Sequence, residues 1–401
     1  MKQKKHIVHF IIIFLISLVI LGGCSPSDQN KNERNDAIHT LEKVGKDEVS
    51  IDFAKGFSVA YKDGYKLVTV HQPWKGAPKP YKYLLLQEGN AVPEHDKDVQ
   101  VITIPLQSIA CLSTTHIPFL EMLGEHEKLT GFATTDYISS PVVRKRIDQG
   151  NVRDLGPDGS VNLEVLADIS PDALMAFGTG SNTGMFNKVN QMDVPVILNA
   201  DYLENSALGR AEWIKFTAAF FNKEAQADSI FTSIKNKYDS LKSIGHQVKN
   251  KPTVYSGIVY GDIWYVPAGK SWASELLEHA GAAYLWKREG DQGSLELNFE
   301  KVYEKASEAD FWIGVASFEN LEEIKQADIR YTEFKAYKEE NVYSYNARMG
   351  EKGGNEYMEL GYARPDIILA DLIKILHPDL LPGHKLYFYK RLPKKAGSPT
   401  S

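Results

Sequence analysis

Cysteine is among the most reactive residue types a chain can carry, and this one carries two, Cys24 and Cys111. Cys24 ends the run Leu21-Gly22-Gly23-Cys24, behind Lys2, Lys4 and Lys5 and a stretch from Phe10 to Leu21 that is apolar but for Ser17. A basic start, a short apolar run and small residues before a cut is the order of a secretory signal. That run makes only about 18 Å of helix against a ~30 Å hydrocarbon core, so cleavage ahead of Cys24 is expected rather than a membrane span. Cys111 is then the one remaining thiol, and an internal disulfide is not expected. The other chemistry-bearing residue types are isolated. Thr115-His116 offers an imidazole with no partner motif, and His126, His279 and His377 stand alone. There is no G-x-S-x-G nucleophile elbow and no HExxH pair, so neither a hydrolase nor a bare zinc or manganese site finds its usual ligand spacing. Gly178-Thr179-Gly180-Ser181-Asn182-Thr183-Gly184 lacks the Gly-Lys-Ser/Thr ending of a phosphate loop and reads as a flexible loop. No enzymatic activity, resident cofactor or metal is expected. A formal charge of -6 and a pI near 6 give no basic footprint for nucleic acid, which leaves small molecules and proteins as partners.

The sequence before Cys24 resembles the bacterial lipobox, whose product carries more than one acyl chain, enough for stable anchoring to a membrane. Ser25 to Glu48 is polar and reads as a flexible tether reaching about 25 to 30 Å. Folding is expected from Val49. Lys66-Leu67-Val68-Thr69-Val70 and Tyr83-Leu84-Leu85-Leu86 read as strands, and Val101 to Leu112 as a further one. Beyond them helices and strands alternate, the pattern of an α/β architecture. Apolar residues recur near a 3.6-residue period from Gly209 to Ile244 without proline or internal glycine, which predicts a helix of about 50 Å connecting two lobes.

The flanking halves repeat a motif order. Thr114 and Thr115 precede Leu120-Glu121-Met122-Leu123-Gly124, then Asn162-Leu163-Glu164, then Pro171-Asp172-Ala173-Leu174-Met175. Ser271 precedes Leu277-Glu278-His279-Ala280-Gly281, then Asn298-Phe299-Glu300, then Ala309-Asp310-Phe311-Trp312-Ile313. Each unit reads as a polar loop, a helix ending at glycine, a helix opened by Asn-x-Glu and a strand entered through Asp. Four matches in one order predict two related lobes.

With the doubled Asn-x-Glu, the opening Gly209-Arg210-Ala211-Glu212-Trp213, the segment from Pro267-Ala268-Gly269-Lys270-Ser271 to Gly281, and Arg364-Pro365-Asp366-Ile367-Ile368-Leu369-Ala370-Asp371-Leu372 before His377-Pro378, the chain resembles a solute-binding lipoprotein of an ABC importer. The class is the one that serves ferric siderophores, haem and vitamin B12, and the resemblance covers most of residues 100 to 380. It implies two α/β lobes bridged by a single long helix, with ligand in the cleft between them and modest lobe closure. The expected organisation is a signal peptide at 1–23, a lipidated Cys24 and tether at 24–48, and an N-terminal lobe at 49–208. The connecting helix at 209–245, a C-terminal lobe at 246–383 and a tail at 384–401 follow. The strands between Val49 and Leu86 are extra to the smallest members.

The resemblance also implies roles. Glu164 and Glu300, one per lobe, would dock on arginines of the permease, itself coupled to an ATPase; carboxylate on guanidinium is bidentate and charge-assisted. Without the resemblance each is a first-turn glutamate behind an Asn N-cap, worth about 0.3 to 1 kcal/mol to its helix. For the ligand, open α/β sheets bind at the carboxyl ends of their strands. That points to Thr114, Thr115, His116, Tyr137 and Ser181 in the first lobe, and to Tyr260, Trp264, Tyr265, Arg348 and Met349 in the second. Aromatic walls with a cation suit a broad iron chelate, haem or corrinoid. The alternatives are a bare-metal carrier of related shape and an anchored hydrolase.

Overall fold

The computed structural model describes residues 49–261, 263–315 and 318–395; Cys24, the signal and the tether lie outside the described residues. The first strands pair as β1 (Phe57–Lys62), β2 (Tyr65–Val70), β3 (Tyr81–Gln87) and β4 (Gln100–Ile104), the first three antiparallel and β4 parallel to β3. Asp63-Gly64 makes the tight β1–β2 turn, with Gly64 at φ 84° in the left-handed region such a hairpin demands. Alternation sorts this sheet's faces: Val68, Val70, Tyr83, Leu85 and Ile102 join the main core, while Leu84, Leu86 and Val99 form a separate cluster. The stretch 49–208 thus holds two sheets, its first strands forming one of their own.

The N-terminal lobe proper is built on β5 (Ile109–Cys111), β6 (Leu129–Phe132), β7 (Arg153–Asp154), β8 (Leu174–Ala176) and β9 (Val196–Leu198), all parallel, in the order β7-β6-β5-β8-β9. Helices α1 (Ile117–Met122), α2 (Pro141–Asp148), α3 (Leu163–Ile169) and α4 (Thr183–Asn190) connect them. The expected strand from Val101 to Leu112 is two strands, β4 and β5, belonging to different sheets.

The predicted connection is helical but comes as two helices, α5 (Ala207–Ala219) and α6 (Glu224–His246). Asn222 stands at φ 56° and the Lys223 amide donates back to the Ala218 carbonyl, which ends α5 in a Schellman-type turn. The residues of the Gly209–Trp213 motif fasten the first sheet to α5. The buried Glu212 carboxylate accepts from the amides of Asp52, Phe53 and Ala54 at 2.6–3.1 Å, and Glu204 accepts from those of Lys55 and Gly56 at 2.8 and 2.7 Å. Five successive backbone donors thus end on two carboxylates, with Lys215 balancing Glu212 at 3.2 Å and Trp213 packed 4.7 Å from the Phe57 ring.

The C-terminal lobe adds β10 (Thr253–Ser256), β11 (Ile258–Tyr260), β12 (Ile263–Pro267), β13 (Ala283–Tyr284), β14 (Ser294–Leu297), β15 (Phe311–Ile313), β16 (Val342–Ser344) and β17 (Lys390–Arg391). Five of them make the main sheet, β13-β10-β15-β16-β17, parallel except for β17, and the other three an antiparallel side sheet, β11-β12-β14. Helices α7 (Trp272–His279), α8 (Phe299–Ala306), α9 (Leu321–Ala327), α10 (Lys335–Lys338), α11 (Glu356–Leu360) and α12 (Pro365–Leu376) complete it. The tail expected from 384 is, as far as 395, part of this lobe: the buried Asp371 carboxylate accepts from the amides of Tyr387, Phe388 and Tyr389 and feeds the chain into β17.

The two-lobe α/β expectation holds, and the repeated motifs fall on equivalent elements. Asn162 caps α3 and Asn298 caps α8; Gly124 and Gly281 follow α1 and α7 with φ 73° and 81°. The Asp that enters the strand makes the same reciprocal clamp twice. Ser108 N–H donates to Asp172 at 2.9 Å and receives the Asp172 N–H on its hydroxyl at 3.0 Å; Thr253 and Asp310 repeat the pair at 2.9 and 3.0 Å.

Candidate ligand cleft

In each main sheet the chain reverses its direction of growth beside the first strand, between β5 and β8 in one lobe and between β10 and β15 in the other. Crevices at such switch points, beyond the strand carboxyl ends, are where open α/β sheets bind ligands. A recess of about 380 Å³ lies beside the first of them, over the carboxyl ends of β5 and β6, lined by Leu112, Ser113 and Thr114 after β5, by Phe132 to Thr134 at the end of β6, and by Tyr137 and Asp158. Its far wall belongs to the other lobe: Gly353, Gly354, Asn355 and Met358. Met358 also lines a second recess of about 300 Å³, which reaches Ser256 and Gly257 after β10 and Ile313 and Gly314 at β15.

The walls of this second recess are aromatic. Tyr345 and Tyr357 stack at 4.7 Å with 20° between their planes, Tyr389 lies 5.7 Å from Tyr357, and Trp272 lies 5.3 Å from Tyr362. Tyr265 contributes from β12. Flat faces of this kind offer contact area with little entropy to lose.

The lobes meet at the cleft edge. Gly354 approaches the Tyr137 carbonyl so closely that a Cβ would lie 2.3 Å from it, a contact only glycine permits. Beside it Glu359 of α11, 3% exposed, accepts from Ser139 N–H at 2.7 Å, Ser139 Oγ at 2.9 Å and Ser140 N–H at 2.9 Å, where α2 begins. Burial pushes the Glu359 carboxyl up to about 7, the nearby Glu121 charge adds to this, and the three Ser139 and Ser140 donors oppose it. Asp201, after β9, is likewise pushed up by burial, to about 6, against a hydrogen bond from Thr115 and the charge of Arg210.

The structure sorts the residues singled out in the sequence. Thr114 and Tyr137 line the first recess and Tyr265 the second; Tyr137 is 60% exposed at the rim. Thr115 hydrogen-bonds Ser113 Oγ at 3.0 Å. His116 is wholly buried, neither ring nitrogen has a partner, and burial holds its pKa down at about 3, so it is a neutral core residue rather than a ligand group. Trp264 is corrected in the same way: on the middle strand of the side sheet it packs into the Trp312, Tyr331 and Phe334 cluster with no exposure. Ser181 is exposed, bonded to Thr179 Oγ1 at 2.9 Å, and lines neither recess. Arg348 is committed to Glu356 at 2.7 Å and lies 4.3 Å over the Tyr387 ring, and Met349 bridges to Asn355 at the base of the loop that carries Gly353 and Gly354. Tyr260 is 79% exposed at the side-sheet hairpin, away from both recesses. The residues sequence reasoning missed are Trp272, Tyr345, Tyr357, Met358, Tyr362 and Tyr389. Their signal was there: Ser271 caps α7 and puts Trp272 first on the helix, and Gly353-Gly354 precedes a run with three aromatic or thioether side chains.

Glu164 and Glu300 are both exposed in first turns; Asn162 Oδ1 accepts from the amides of Glu164 and Val165 at 3.0 and 3.1 Å, and Asn298 Oδ1 from Lys301 at 3.0 Å. Glu300 also lies 3.4 Å from Arg330, whose stronger bonds go to Asp328. Among the described residues no three His, Cys, Asp or Glu side chains gather as a metal site, and no helix is long and apolar enough to cross a membrane.

Comparison with known proteins agrees with this geometry. Residues 109–349 match the family model described as periplasmic binding protein. An uncharacterized lipoprotein of Methanocaldococcus jannaschii is 26% identical over 96% of both chains. The fold is shared with a possible iron-binding, periplasmic solute-binding protein from Staphylococcus epidermidis, with TM-score 0.54 and 18% identity, covering 68% of this chain and 100% of that one. It is shared also with Helicobacter pylori Ceue, solved with Ni(II) bound, at TM-score 0.54 and 17% identity, covering 71% and 88%. The periplasmic heme-binding protein RhuT from Roseiflexus follows at 0.52 and 12%, covering 68% and 99%. With its two-lobe fold and a cleft at the carboxyl ends of the strands, the chain belongs to the periplasmic binding protein family.

Proposed function

We propose that the solute this binding protein captures for ABC import is an iron chelate, a haem or a corrinoid, and that it is held between the lobes. The observation that carries the reading is the aromatic recess around Tyr345, Tyr357, Tyr362 and Trp272, which adjoins at Met358 a recess facing the opposite lobe. Two adjoining chambers of about 380 and 300 Å³ suit a ligand broader than a bare ion or an amino acid. Relatives of the same fold described as iron-binding and heme-binding support that ligand class. In this reading Cys24 carries lipid that holds the lobes at a membrane, in keeping with the lipoprotein relative, and Glu164 and Glu300 meet the permease. The protein binds and releases its ligand without chemical change.

Trp272 in the cleft wall provides the test. Purified protein lacking residues 1–23 is titrated with haem, cyanocobalamin and a set of ferric siderophores, following tryptophan fluorescence and thermal unfolding. One of them should quench the emission and, at about 100 times its Kd, stabilise the fold by roughly 2.7 kcal/mol. If every member leaves both signals unchanged, the ligand class is wrong.

A further inference from the structure

The first sheet lies outside the span that matches the family model, yet the loop between β2 and β3 reaches the cleft. Trp74 seats it: the ring lies edge-on to Tyr81 at 5.7 Å and against Gly178, where a Cβ would stand 2.8 Å from both the ring and the Pro73 carbonyl. On either side of that seat, Gln72 and Lys75 enter the wall of a third recess of about 500 Å³, facing Tyr202, Asn205 and Arg210. This chamber shares Pro267, Trp272, Ala273 and Ser294 with the aromatic recess, so the two adjoin.

Its charges are unevenly spent. Glu204, the acidic residue in the wall, has Oε1 taken by the amides of Lys55 and Gly56 and by Trp213 Nε1 at 3.1 Å. The cations keep donors to spare, although the Arg210 charge also acts on the buried Asp201. Lys75 is exposed and makes no ion pair among the described residues. Arg210 is 6% exposed, with its guanidinium carbon 4.6 Å from the Trp272 ring and 4.1 Å from the Tyr362 ring. Nε and Nη2 donate to the carbonyls of Glu204 and Tyr202 at 3.0 and 2.8 Å, while Nη1 is buried with no partner. A buried donor on a cation left unbonded is costly, and an oxyanion removes the cost with a charge-assisted hydrogen bond. Arg210 therefore joins the two chambers, since its stacking partners wall one and its own side chain lines the other.

We propose that this chamber is an anion subsite of the ligand cleft, in which Lys75 and Arg210 receive a carboxylate or phosphate arm of the bound solute. The added sheet then sets specificity: it closes the end of the cleft and supplies one of the two cations. The cation that sequence reasoning placed at Arg348 is supplied instead by Arg210 and Lys75. This rests on the solute-binding reading above.

The test uses two kinds of probe. Haem, with two free carboxylates, and its dimethyl ester are titrated against the wild type and Lys75→Gln, an exposed substitution that leaves the fold intact. The wild type should prefer haem by about tenfold, and the variant should lose most of that preference while binding the ester unchanged. Equal weakening of both probes, or no change in either, would overturn the subsite. If neither tetrapyrrole binds, the chamber is probed directly by acylation of lysines with and without citrate or inorganic phosphate, read by peptide mass spectrometry. Lys79 in the same loop, 2.8 Å from Asp98, is the internal reference. Protection of Lys75 relative to Lys79 supports the subsite, and the better protector identifies the group; equal rates throughout reject it. Absence of any chelate binding with protection intact would sink the ligand class and leave the subsite standing.

Discussion

Glu359 ties the lobes by placing one carboxylate across their seam, and its burial makes that tie depend on pH. Its pKa rises from an ordinary 4.5 to about 7 in the folded protein, so between those values the folded state holds a proton that the unfolded chain has released. Stability is then fullest below about pH 4.5 for this group and falls as pH climbs through 7, at roughly 1.4 kcal/mol per unit of difference. Asp201, raised to about 6, acts in the same direction. Buried His116 and His279, held down at about 3 and 4, act oppositely below an unfolded value of 6.5, so the test is a difference: between pH 5 and 7.5 the melting temperature of the wild type should fall relative to that of Glu359→Gln, which cannot ionise. Identical slopes in the two proteins would show that Glu359 titrates normally. None of this is legible in the sequence, because it depends on Ser139 meeting a residue 220 positions away. Trp264 and Trp272 show the same limit. Both sit near polar loops in the sequence, yet pairing on both edges turns Trp264 into the core, while an N-terminal helix position leaves Trp272 on the cleft.

At the scale of elements, periodicity located the helical connection but not its interruption. The 3.6-residue pattern continues on both sides of Phe220–Lys223 because both helices bury a face, and an apolar count has no means of seeing a left-handed residue between them. The signal lay in Asn222, the residue type after glycine that best tolerates positive φ at a helix end. Its side chain also carries load: Oδ1 accepts from Lys66 Nζ at 2.7 Å and Gln87 Nε2 at 3.0 Å, which ties the break to the first sheet. Asn222→Val should lose these bonds and add about 1–2 kcal/mol of backbone strain, so a drop of roughly 2–3 kcal/mol in denaturant unfolding is expected. Asn222→Gly keeps the left-handed turn and loses only the bonds, and its loss should be the smaller. If Val and Gly behaved alike, the conformation would not be what asparagine supplies there. The paired strands and the Asp before β8 and β15 were more readable, since both are local patterns, whereas the clamps those Asp residues make join positions 64 and 57 apart.

For the whole molecule, two lobes of like construction present two like corners, and the proposed docking on a permease requires both to be recognised at once. Glu164 and Glu300 follow caps of the same type on α3 and α8, so their first-turn placement is accounted for by helix stability alone. Docking is a separate demand, and the two can be distinguished by what each substitution leaves intact. Glu300 is 70% exposed and holds Arg330 only at 3.4 Å, an exposed pair of the kind worth less than about 1 kcal/mol, so an incoming permease arginine would displace it at small cost. Glu164→Lys and Glu300→Lys lie away from the cleft and should leave haem or siderophore affinity within about twofold. Each should reduce uptake in cells, and the double variant should nearly abolish it, because two bidentate contacts set register as well as strength. Restoring uptake by reversing the charge on the facing permease residues would complete the case. Loss of ligand affinity in these variants would place the glutamates in the binding machinery instead, and full uptake by the double variant would return them to the role of first-turn charges that stabilise their helices.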